Sequence, residues 1–214
     1  MGSYVLTNDD LAVQILGVPC EGDLFSAYVR LREALPGKKT YWDRGEAYAK
    51  MRAHVAKWTP EILDASIRVL DIGPGAGMFL EIARACRCEI LGIEAPPTTR
   101  APKAYERVTD LLELPIDRRG LKEWIGEALH VEPFDLIHAR GSLDAALKGP
   151  GHVETAINTE RFVLWASKAL KPGGRLVAIH NDGPTSWTIM ETMETCGMLE
   201  FEQPNRLVTI LRRG

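Results

Sequence analysis

The chain contains 214 residues, enough for one domain with a substantial core and too few for two full domains. Its net charge of -3 argues against a large nucleic-acid-binding surface, which favours an excess of basic residues. Hydrophobic residues make up 45% of the chain, yet no apolar run reaches transmembrane length. The composition therefore predicts a soluble protein whose partner is neither a membrane nor, by preference, a nucleic acid.

The first ten residues lack both a basic segment and an uninterrupted apolar core, so no secretory signal is predicted and a cytoplasmic location is expected. The four cysteines show no C-x-x-C spacing; they are Cys20, Cys86, Cys88 and Cys196. We therefore expect reduced packing residues rather than disulfides or a zinc site.

Residues 1 to 60 are predicted to form an N-terminal helical cap that belongs to the same domain as residues 61 to 214. Apolar residues of one helical face recur between Leu24 and Leu35, and Pro36-Gly37 ends this pattern. From Ile67 onward, apolar strands alternate with helical stretches, as a parallel sheet requires.

A glycine-rich turn follows the first of these strands, with the spacing Asp71-x-Gly73-x-Gly75-x-Gly77. Glycines are needed where a backbone turns sharply, adopts positive φ or lets a ligand approach closely. Glu94 lies about twenty residues further on, at the end of the next apolar run, where a carboxylate can accept hydrogen bonds from ribose hydroxyls. The pattern predicts a turn that binds a nucleoside cofactor.

The third glycine distinguishes between two such cofactors. The dinucleotide fingerprint G-x-G-x-x-G needs its last glycine one residue later, where this chain has Met78. The segment from Asp71 to Glu94 instead resembles the class I (Rossmann-like) S-adenosylmethionine-dependent methyltransferases. Two later segments, Phe134 to His138 and Leu170 to Val177, look like the fourth strand of that family and the entry to its fifth strand.

The resemblance covers roughly residues 67 to 180 and implies an α/β fold, a doubly wound, mostly parallel seven-stranded sheet whose last strand is antiparallel. The hydrophobic pattern predicts strands near 67–72, 89–93, 106–109, 134–138 and 174–180, followed by a hairpin of 199–202 and 206–211 around Gln203-Pro204-Asn205. It predicts helices over 76–86, 119–130, 153–170 and 186–196.

The resemblance also implies which residues bind S-adenosylmethionine and its product S-adenosylhomocysteine. Asp71 would fix the loop or face the methionine amino group, while Gly73, Gly75 and Gly77 would let the cofactor approach. Glu94 would bind the ribose.

Four further residues are expected at the cofactor by the same resemblance. Asp110 and Leu111, after the predicted third strand, would lie beside the adenine, with a helix-capping or solvated role left open for Asp110. Tyr41 and Arg44, in an aromatic and polar segment before the first strand, would reach the cofactor carboxylate.

The acceptor site is expected in two loops at the carboxyl ends of strands, residues 138–142 and 180–187. His180 is the preferred general base, with Asp182 orienting its ring, and His138 is the second candidate. A purely structural role is left open for both histidines. The candidate substrate-binding residues are Arg140, Asp182 and Trp187, and Arg140 is also a candidate for a salt bridge to the cap.

The loop after the fourth strand lacks the Asp/Asn-Pro-Pro-Tyr/Phe stretch of adenine and glutamine amino-methyltransferases and the Pro-Cys nucleophile of cytosine-carbon enzymes. No metal is expected, because Asp182 has no convincing set of acidic partners. The sequence therefore predicts methyl transfer to a small polar molecule, with oxygen favoured over nitrogen as acceptor. A non-catalytic S-adenosylmethionine-binding scaffold and an RNA methyltransferase are the alternatives, and the oligomeric state is open, with a homodimer among the options.

Overall fold

The structure, a computed structural model, describes residues 44–64, 66–95, 106, 109–110, 112–126 and 132–214. The chain divides into two compact units. The first contains the described residues among 1–66, 75–89 and 97–115, and the second those among 67–74, 90–96 and 116–214. The predicted cap helix between Leu24 and Leu35 lies outside the described residues, and the predicted domain division stays a prediction.

The first unit contains two α-helices, α1 (Arg44–Trp58) and α2 (Met78–Ala85), and a 3₁₀ helix, Pro60–Asp64. Helix α1 contacts α2, and apolar side chains of both are buried. The Cys88 thiol donates a hydrogen bond to the carbonyl of Ile62 over 3.5 Å. The prediction of a helix after the glycine turn is confirmed.

The second unit contains a seven-stranded sheet, apart from Glu89, which belongs to the first unit. The strands are β1 (Arg68–Ile72), β2 (Glu89–Ile93), β3 (Ile116–Asp117), β4 (Phe134–Arg140), β5 (Leu170–Ile179), β6 (Glu200–Asn205) and β7 (Val208–Arg212). Their order is β3-β2-β1-β4-β5-β7-β6. β1 and β4, β4 and β5, and β2 and β3 pair in parallel, whereas β7 is antiparallel to both β5 and β6. The predicted seven-stranded, mostly parallel sheet with an antiparallel last strand is confirmed.

Four helices accompany these strands: α3 (Leu121–Gly126), α4 (Leu143–Leu147), α5 (His152–Ala169) and α6 (Pro184–Cys196). Helix α5 buries Phe162 and Trp165, whose rings are stacked 5.8 Å apart. Trp124 of α3 meets Trp165 edge to face at 6.2 Å. These aromatic side chains and the apolar residues of β1, β4 and β5 form the core of the second unit.

The predicted third strand is wrong in position. Thr109 and Asp110 have helical backbone, and the Thr109 hydroxyl donates to the carbonyl of Glu106 over 3.0 Å. The strand that pairs with β2 begins only after Pro115. A short apolar run satisfies a helical turn as well as a strand, and local hydrogen bonds favour the turn here.

Several boundaries also differ from the prediction, among them the end of β4, which lies at Arg140 rather than His138. Strand β5 begins at Leu170 rather than 174, because Leu170 pairs with Phe134 before an irregularity that includes Gly173 at φ +77°. In the predicted hairpin the turn falls later: Asn205 still belongs to β6, and its side chain accepts a hydrogen bond from the N–H of Leu207 over 2.9 Å.

Candidate functional site

The parallel strands of the second unit end at a common edge, where most of the predicted site residues lie. Asp71 is next to last in β1, Glu94 directly follows β2, and Arg140 ends β4. His180 directly follows β5. Ligands of open α/β sheets bind at this carboxyl edge, so the residues at these positions are the candidates for ligand contacts.

Asp71 and His138 form a buried pair on adjacent strands. They are direct register partners in β1 and β4, and His138 Nδ1 lies 2.7 Å from Asp71 Oδ1. Both side chains are almost fully buried. Because a carboxylate only accepts hydrogen bonds, it fixes the tautomer of His138 with the proton on Nδ1. Asp71 thus orients His138, and its predicted contact with the cofactor stays a prediction.

His180 is held by Asp144, at the start of α4. His180 Nδ1 lies 2.9 Å from Asp144 Oδ1. The other carboxylate oxygen accepts from the N–H of Asn181 over 2.6 Å and from the Ser186 hydroxyl over 3.0 Å. One carboxylate therefore fixes the imidazole, the loop after β5 and the first turn of α6.

The prediction that Asp182 orients His180 is wrong. Asp182 is exposed and forms an ion pair with Arg206, whose Nη2 lies 2.9 Å from its Oδ1. Asp182 lies at a bend before α6, whereas Asp144 reaches the imidazole from the first turn of α4.

Burial of Asp144 opposes its ionisation, but the hydrogen bonds from His180, from the Asn181 N–H and from Ser186 outweigh it, so the pKa of Asp144 lies below its ordinary value. The carboxylate is therefore charged at neutral pH. A charged partner at Nδ1 stabilises the imidazolium that forms when His180 Nε2 takes up a proton.

The second ring nitrogen of His180 distinguishes it from an ordinary packing histidine. Its Nε2 atom is buried and has no hydrogen-bond partner among the described residues. A buried polar atom left without a partner costs about 1–3 kcal/mol, which a ligand hydroxyl at this position would offset.

The loops around these histidines are tied to each other. The Ser142 hydroxyl donates to the carbonyl of Ile72, and the Asn181 side chain donates to the carbonyl of Gly141 over 2.9 Å. A Cβ built on Gly73 would lie 2.6 Å from Ser142 Oγ. Only glycine therefore fits at position 73, and the loops after β1, β4 and β5 form one connected rim.

The glycine turn has the backbone that its sequence predicts. Gly73, Gly75 and Gly77 have φ values of +70°, +56° and +81°. A Cβ built on Gly75 would meet no described atom within 4 Å. A glycine turn with positive φ fits a nucleoside cofactor such as S-adenosylmethionine.

The structure places the remaining predicted cofactor residues as follows. Glu94 is half-buried, and its N–H donates to the carbonyl of Asp117 over 3.0 Å. Asp110 is exposed and precedes β3 instead of following the third strand, so the argument for its position is wrong. Tyr41, Leu111 and the side chain of Arg44 lie outside the described residues.

Arg140 is exposed at the end of β4, and Trp187 is half-exposed in the first turn of α6. The Arg206 guanidinium lies 5.9 Å from the centre of the Trp187 ring. Arg206 thus joins Asp182 and Trp187 in one exposed cluster, which the sequence did not identify.

Sequence reasoning missed Asp144 and Asp117. Asp144 lies in the first turn of α4, shortly after β4, and its place just beyond the carboxyl end of a predicted strand could have marked it as a candidate. Asp117 ends β3, and hydrogen bonds from Arg119 lower its pKa despite partial burial. Its Oδ2 lies 2.6 Å from Arg119 Nη2.

Within the described ranges, no group of three or more His, Cys, Asp and Glu side chains is arranged to hold a metal ion. In the same part of the chain, no helix is at once long enough and apolar enough to span a membrane.

The chain has clear relatives. A family model described as a methyltransferase domain matches residues 43–190. Of the curated proteins compared with the chain, none matches it.

Several solved structures are similar. WbdD, described as a bifunctional kinase-methyltransferase, is 13% identical with a TM-score of 0.56, and the match covers 87% of this chain and 47% of WbdD. The N-methyltransferase NodS from Bradyrhizobium japonicum WM9, in complex with S-adenosyl-L-homocysteine, is 18% identical with a TM-score of 0.52, covering 87% and 98%. A putative O-methyltransferase from Klebsiella pneumoniae is 14% identical with a TM-score of 0.53, covering 96% and 94%. At such identities the likeness shows a shared fold, and the chain spans about half the length of WbdD and of TrmN from Thermus thermophilus.

Proposed function

Because this chain belongs to the class I S-adenosylmethionine-dependent methyltransferase domains, we propose that it transfers a methyl group from S-adenosylmethionine to an oxygen atom of a small polar molecule. The match to the family model covers residues 43–190, which supports the transfer itself. The acceptor and the oxygen chemistry rest on the geometry of the second unit. A cytoplasmic location is part of the same proposal.

Asp71, Gly73 and Glu94 are the residues of the second unit that we propose for the cofactor, with Gly75 and Gly77 continuing the same turn of the chain. Their support is the positive-φ backbone of the turn and the position of Glu94 directly after β2. Bound S-adenosylmethionine supplies an electrophilic methyl group. We assign the same role to Tyr41, Arg44, Asp110 and Leu111 only as the family resemblance implies it.

The observation that carries the oxygen acceptor is the unpartnered, buried Nε2 atom of His180. His180 Nδ1 donates a hydrogen bond to the Asp144 carboxylate, so the proton of the neutral ring is on Nδ1 and Nε2 has a free lone pair. A neutral imidazole in this state accepts the proton of an acceptor hydroxyl. The charge that then forms on the ring is balanced by Asp144, whose depressed pKa keeps it ionised.

His138 is the second candidate base, and its pairing with Asp71 gives it the same tautomer. The two His–Asp pairs differ in one respect that favours His180. Asp71 is also a proposed cofactor residue, whereas the Asp144 carboxylate bonds His180 and Asn181 after β5 and Ser186 of α6 among the described residues. We therefore assign His138 to the cofactor side of the rim and His180 to the acceptor side.

Arg140, Asp182 and Trp187 are proposed to contact the acceptor. Arg140 is cationic and exposed at the end of β4, and the other two lie in the exposed cluster with Arg206. A rim that offers both charges and an indole suits a polar molecule with an anionic group, such as a sugar or a phosphorylated metabolite.

The experiment has two stages. Calorimetry with S-adenosylhomocysteine tests the cofactor, and a screen of hydroxylated metabolites, scored by formation of S-adenosylhomocysteine, tests the transfer. We expect binding in the micromolar range and turnover of at least one hydroxyl acceptor. Binding without turnover on any acceptor class would favour the scaffold alternative, and turnover only on RNA would replace the small molecule as acceptor.

A further inference from the structure

Exposed apolar side chains concentrate on two neighbouring helices of the second unit, α5 and α6. Val153, Ile157 and Leu164 of α5 are 68%, 42% and 43% exposed, and Trp187 and Met198, in and just after α6, are 48% and 47% exposed. Single exposed apolar residues are ordinary on protein surfaces, but a contiguous group marks an interaction surface.

The apolar residues of α5 form a seam along the helix. Val153, Ile157, Glu160 and Leu164 follow each other at spacings of four, three and four residues, and all are exposed. This spacing is that of the contact positions of a two-helix coiled coil. The opposite face of α5, which includes Phe162, is buried in the core.

Two opposite charges flank this seam on the same side. Glu154 and Arg161 are seven residues apart, so they repeat at the same position of the heptad, and both are exposed. Within the described part of the chain neither of them forms an ion pair. Flanking positions of this kind set the orientation and register of paired helices.

We propose that α5 pairs with α5 of a second copy of this chain, in an antiparallel arrangement around a twofold axis. In this register Val153 lies opposite Leu164 of the second copy, and Ile157 lies opposite the aliphatic stem of Glu160. Glu154 then meets Arg161 of the second copy. A twofold axis repeats each contact, so two apolar pairs and two ion pairs form at once.

The flanking charges and the apolar seam together favour this register over its neighbours. A shift by one heptad in one direction places Glu154 against Glu154 of the second copy, and like charges at these positions oppose pairing. A shift in the other direction places Arg161 against Arg161, while Glu154 then faces Lys168, which repeats the same heptad position and is also exposed. In that register Val153 loses its apolar partner, because the position opposite it falls beyond the end of α5. The proposed register is therefore the one that combines paired charges with the whole apolar seam.

The size of the contact sets the expected affinity. Helix α5 has 18 residues, which corresponds to a length of about 27 Å. One pair of such helices lies at the low end of specific interfaces, so the dimer should dissociate in the micromolar range.

A charge swap tests the register. Sedimentation equilibrium of the full chain should show a monomer–dimer equilibrium. Arg161→Glu and Glu154→Arg should each raise the dissociation constant about tenfold, because two attractive pairs become repulsive. The double variant carrying both substitutions should return the dissociation constant to near the parent value. Lys122→Glu, an exposed charge reversal on α3, is the matched control and should change nothing.

Leu164→Ser tests the apolar seam and should also weaken the dimer. Thermal melting confirms that each variant folds, so a change in association is not a folding defect. A parent that stays monomeric on the order of 100 µM overturns the proposal and leaves another segment or protein to cover α5. Single reversals that associate like the parent, or a double variant that stays monomeric, overturn the register.

Discussion

At the scale of single residues, the two buried histidines differ in how their second nitrogen is used. His180 has Asp144 on Nδ1 and a buried, unpartnered Nε2. A histidine that only packs would satisfy both nitrogens or expose one to water. The arrangement therefore favours a role for His180 Nε2 as the acceptor of a proton from a bound ligand.

His180→Ala should lower the turnover of the acceptor by about 10²–10⁴-fold, because the proton of the attacking hydroxyl loses its acceptor. Binding of S-adenosylhomocysteine should hardly change, because His180 is assigned to the acceptor side of the rim. Steady-state kinetics and calorimetry measure the two effects. His152→Ala is the control, since His152 is exposed and contacts Thr188 through Nδ1. Parent-like turnover of His180→Ala would leave His138, or orientation alone, as the explanation.

Asp144→Asn should destabilise the fold by about 1–3 kcal/mol at neutral pH, because three donors lose a charged acceptor. The pKa of Asp144 is lowered, so its stabilising effect is full above the unfolded value of about 3.9 and is lost as pH falls through the lower folded value. Urea unfolding from pH 7 to about 3 should show the gap between parent and variant closing at the acid end. Asp182→Asn, which removes an exposed ion pair with Arg206, should cost less than about 1 kcal/mol. Equal effects of the two variants would contradict the assignment of Asp144.

The sequence predicted the histidines of this site better than their partners. His138 and His180 were found because the hydrophobic pattern predicts them at the ends of strands; the structure places His138 inside β4, near its end, and His180 directly after β5. The sequence predicted Asp182 as the partner of His180, and the structure shows Asp144 instead. The choice depends on how the segment after β4 approaches the loop after β5. Contacts between distant segments have no local signal in the sequence.

At the scale of elements, the turn between β1 and α2 shows what its glycines are for. Gly73 leaves room for Ser142, whose hydroxyl donates to the carbonyl of Ile72, whereas a Cβ at Gly75 would meet no described atom. Both have positive φ. The first glycine therefore serves the packing of the rim, and the second fits a ligand that approaches the backbone.

Gly73→Ala should cost about 2–4 kcal/mol, because strain at positive φ adds to the overlap with Ser142. Gly75→Ala should cost only about 1–2 kcal/mol, the price of the positive φ alone. Chemical denaturation of both variants at neutral pH measures the difference. Gly75→Ala should in turn weaken cofactor binding, by placing a methyl group where the ligand approaches. If Gly75→Ala is the less stable variant, the packing role assigned to Gly73 is wrong.

Element prediction succeeded where the pattern was long and failed where it was short. The strands around Leu70, Leu136 and Val177 are buried on both faces and read as continuous apolar runs. The run around Thr109 is only a few residues long, and a hydroxyl-to-carbonyl bond turns it into a helical segment. The turn of the last hairpin was misplaced because Pro204 suggested a break, whereas β6 is an edge strand that tolerates proline.

At the scale of the whole molecule, the family and the sheet order follow from the alternation of strands and helices, which is why both were predictable. The acceptor and the assembly depend on exposed residues, which vary without changing the fold. A cofactor that binds only the folded protein stabilises the whole fold, so its binding can be measured as a gain in stability.

S-adenosylhomocysteine at 100 times its dissociation constant should stabilise the folded protein by about 2.7 kcal/mol, and NAD should not, because the glycine spacing and Glu94 suit a nucleoside without a pyrophosphate.

Glu94→Ala should weaken S-adenosylhomocysteine binding by about 1.5–3 kcal/mol, the range for removal of a charged hydrogen-bond partner. Thermal melting with each ligand, followed by calorimetry, measures both effects. Glu89→Ala is the matched control, because Glu89 is exposed at the opposite end of the same strand, β2, away from the edge where the cofactor is proposed to bind. Stabilisation by NAD but not by S-adenosylhomocysteine would overturn the proposed cofactor. Parent-like binding by a folded Glu94→Ala variant would move the ribose site elsewhere on the carboxyl edge of the sheet.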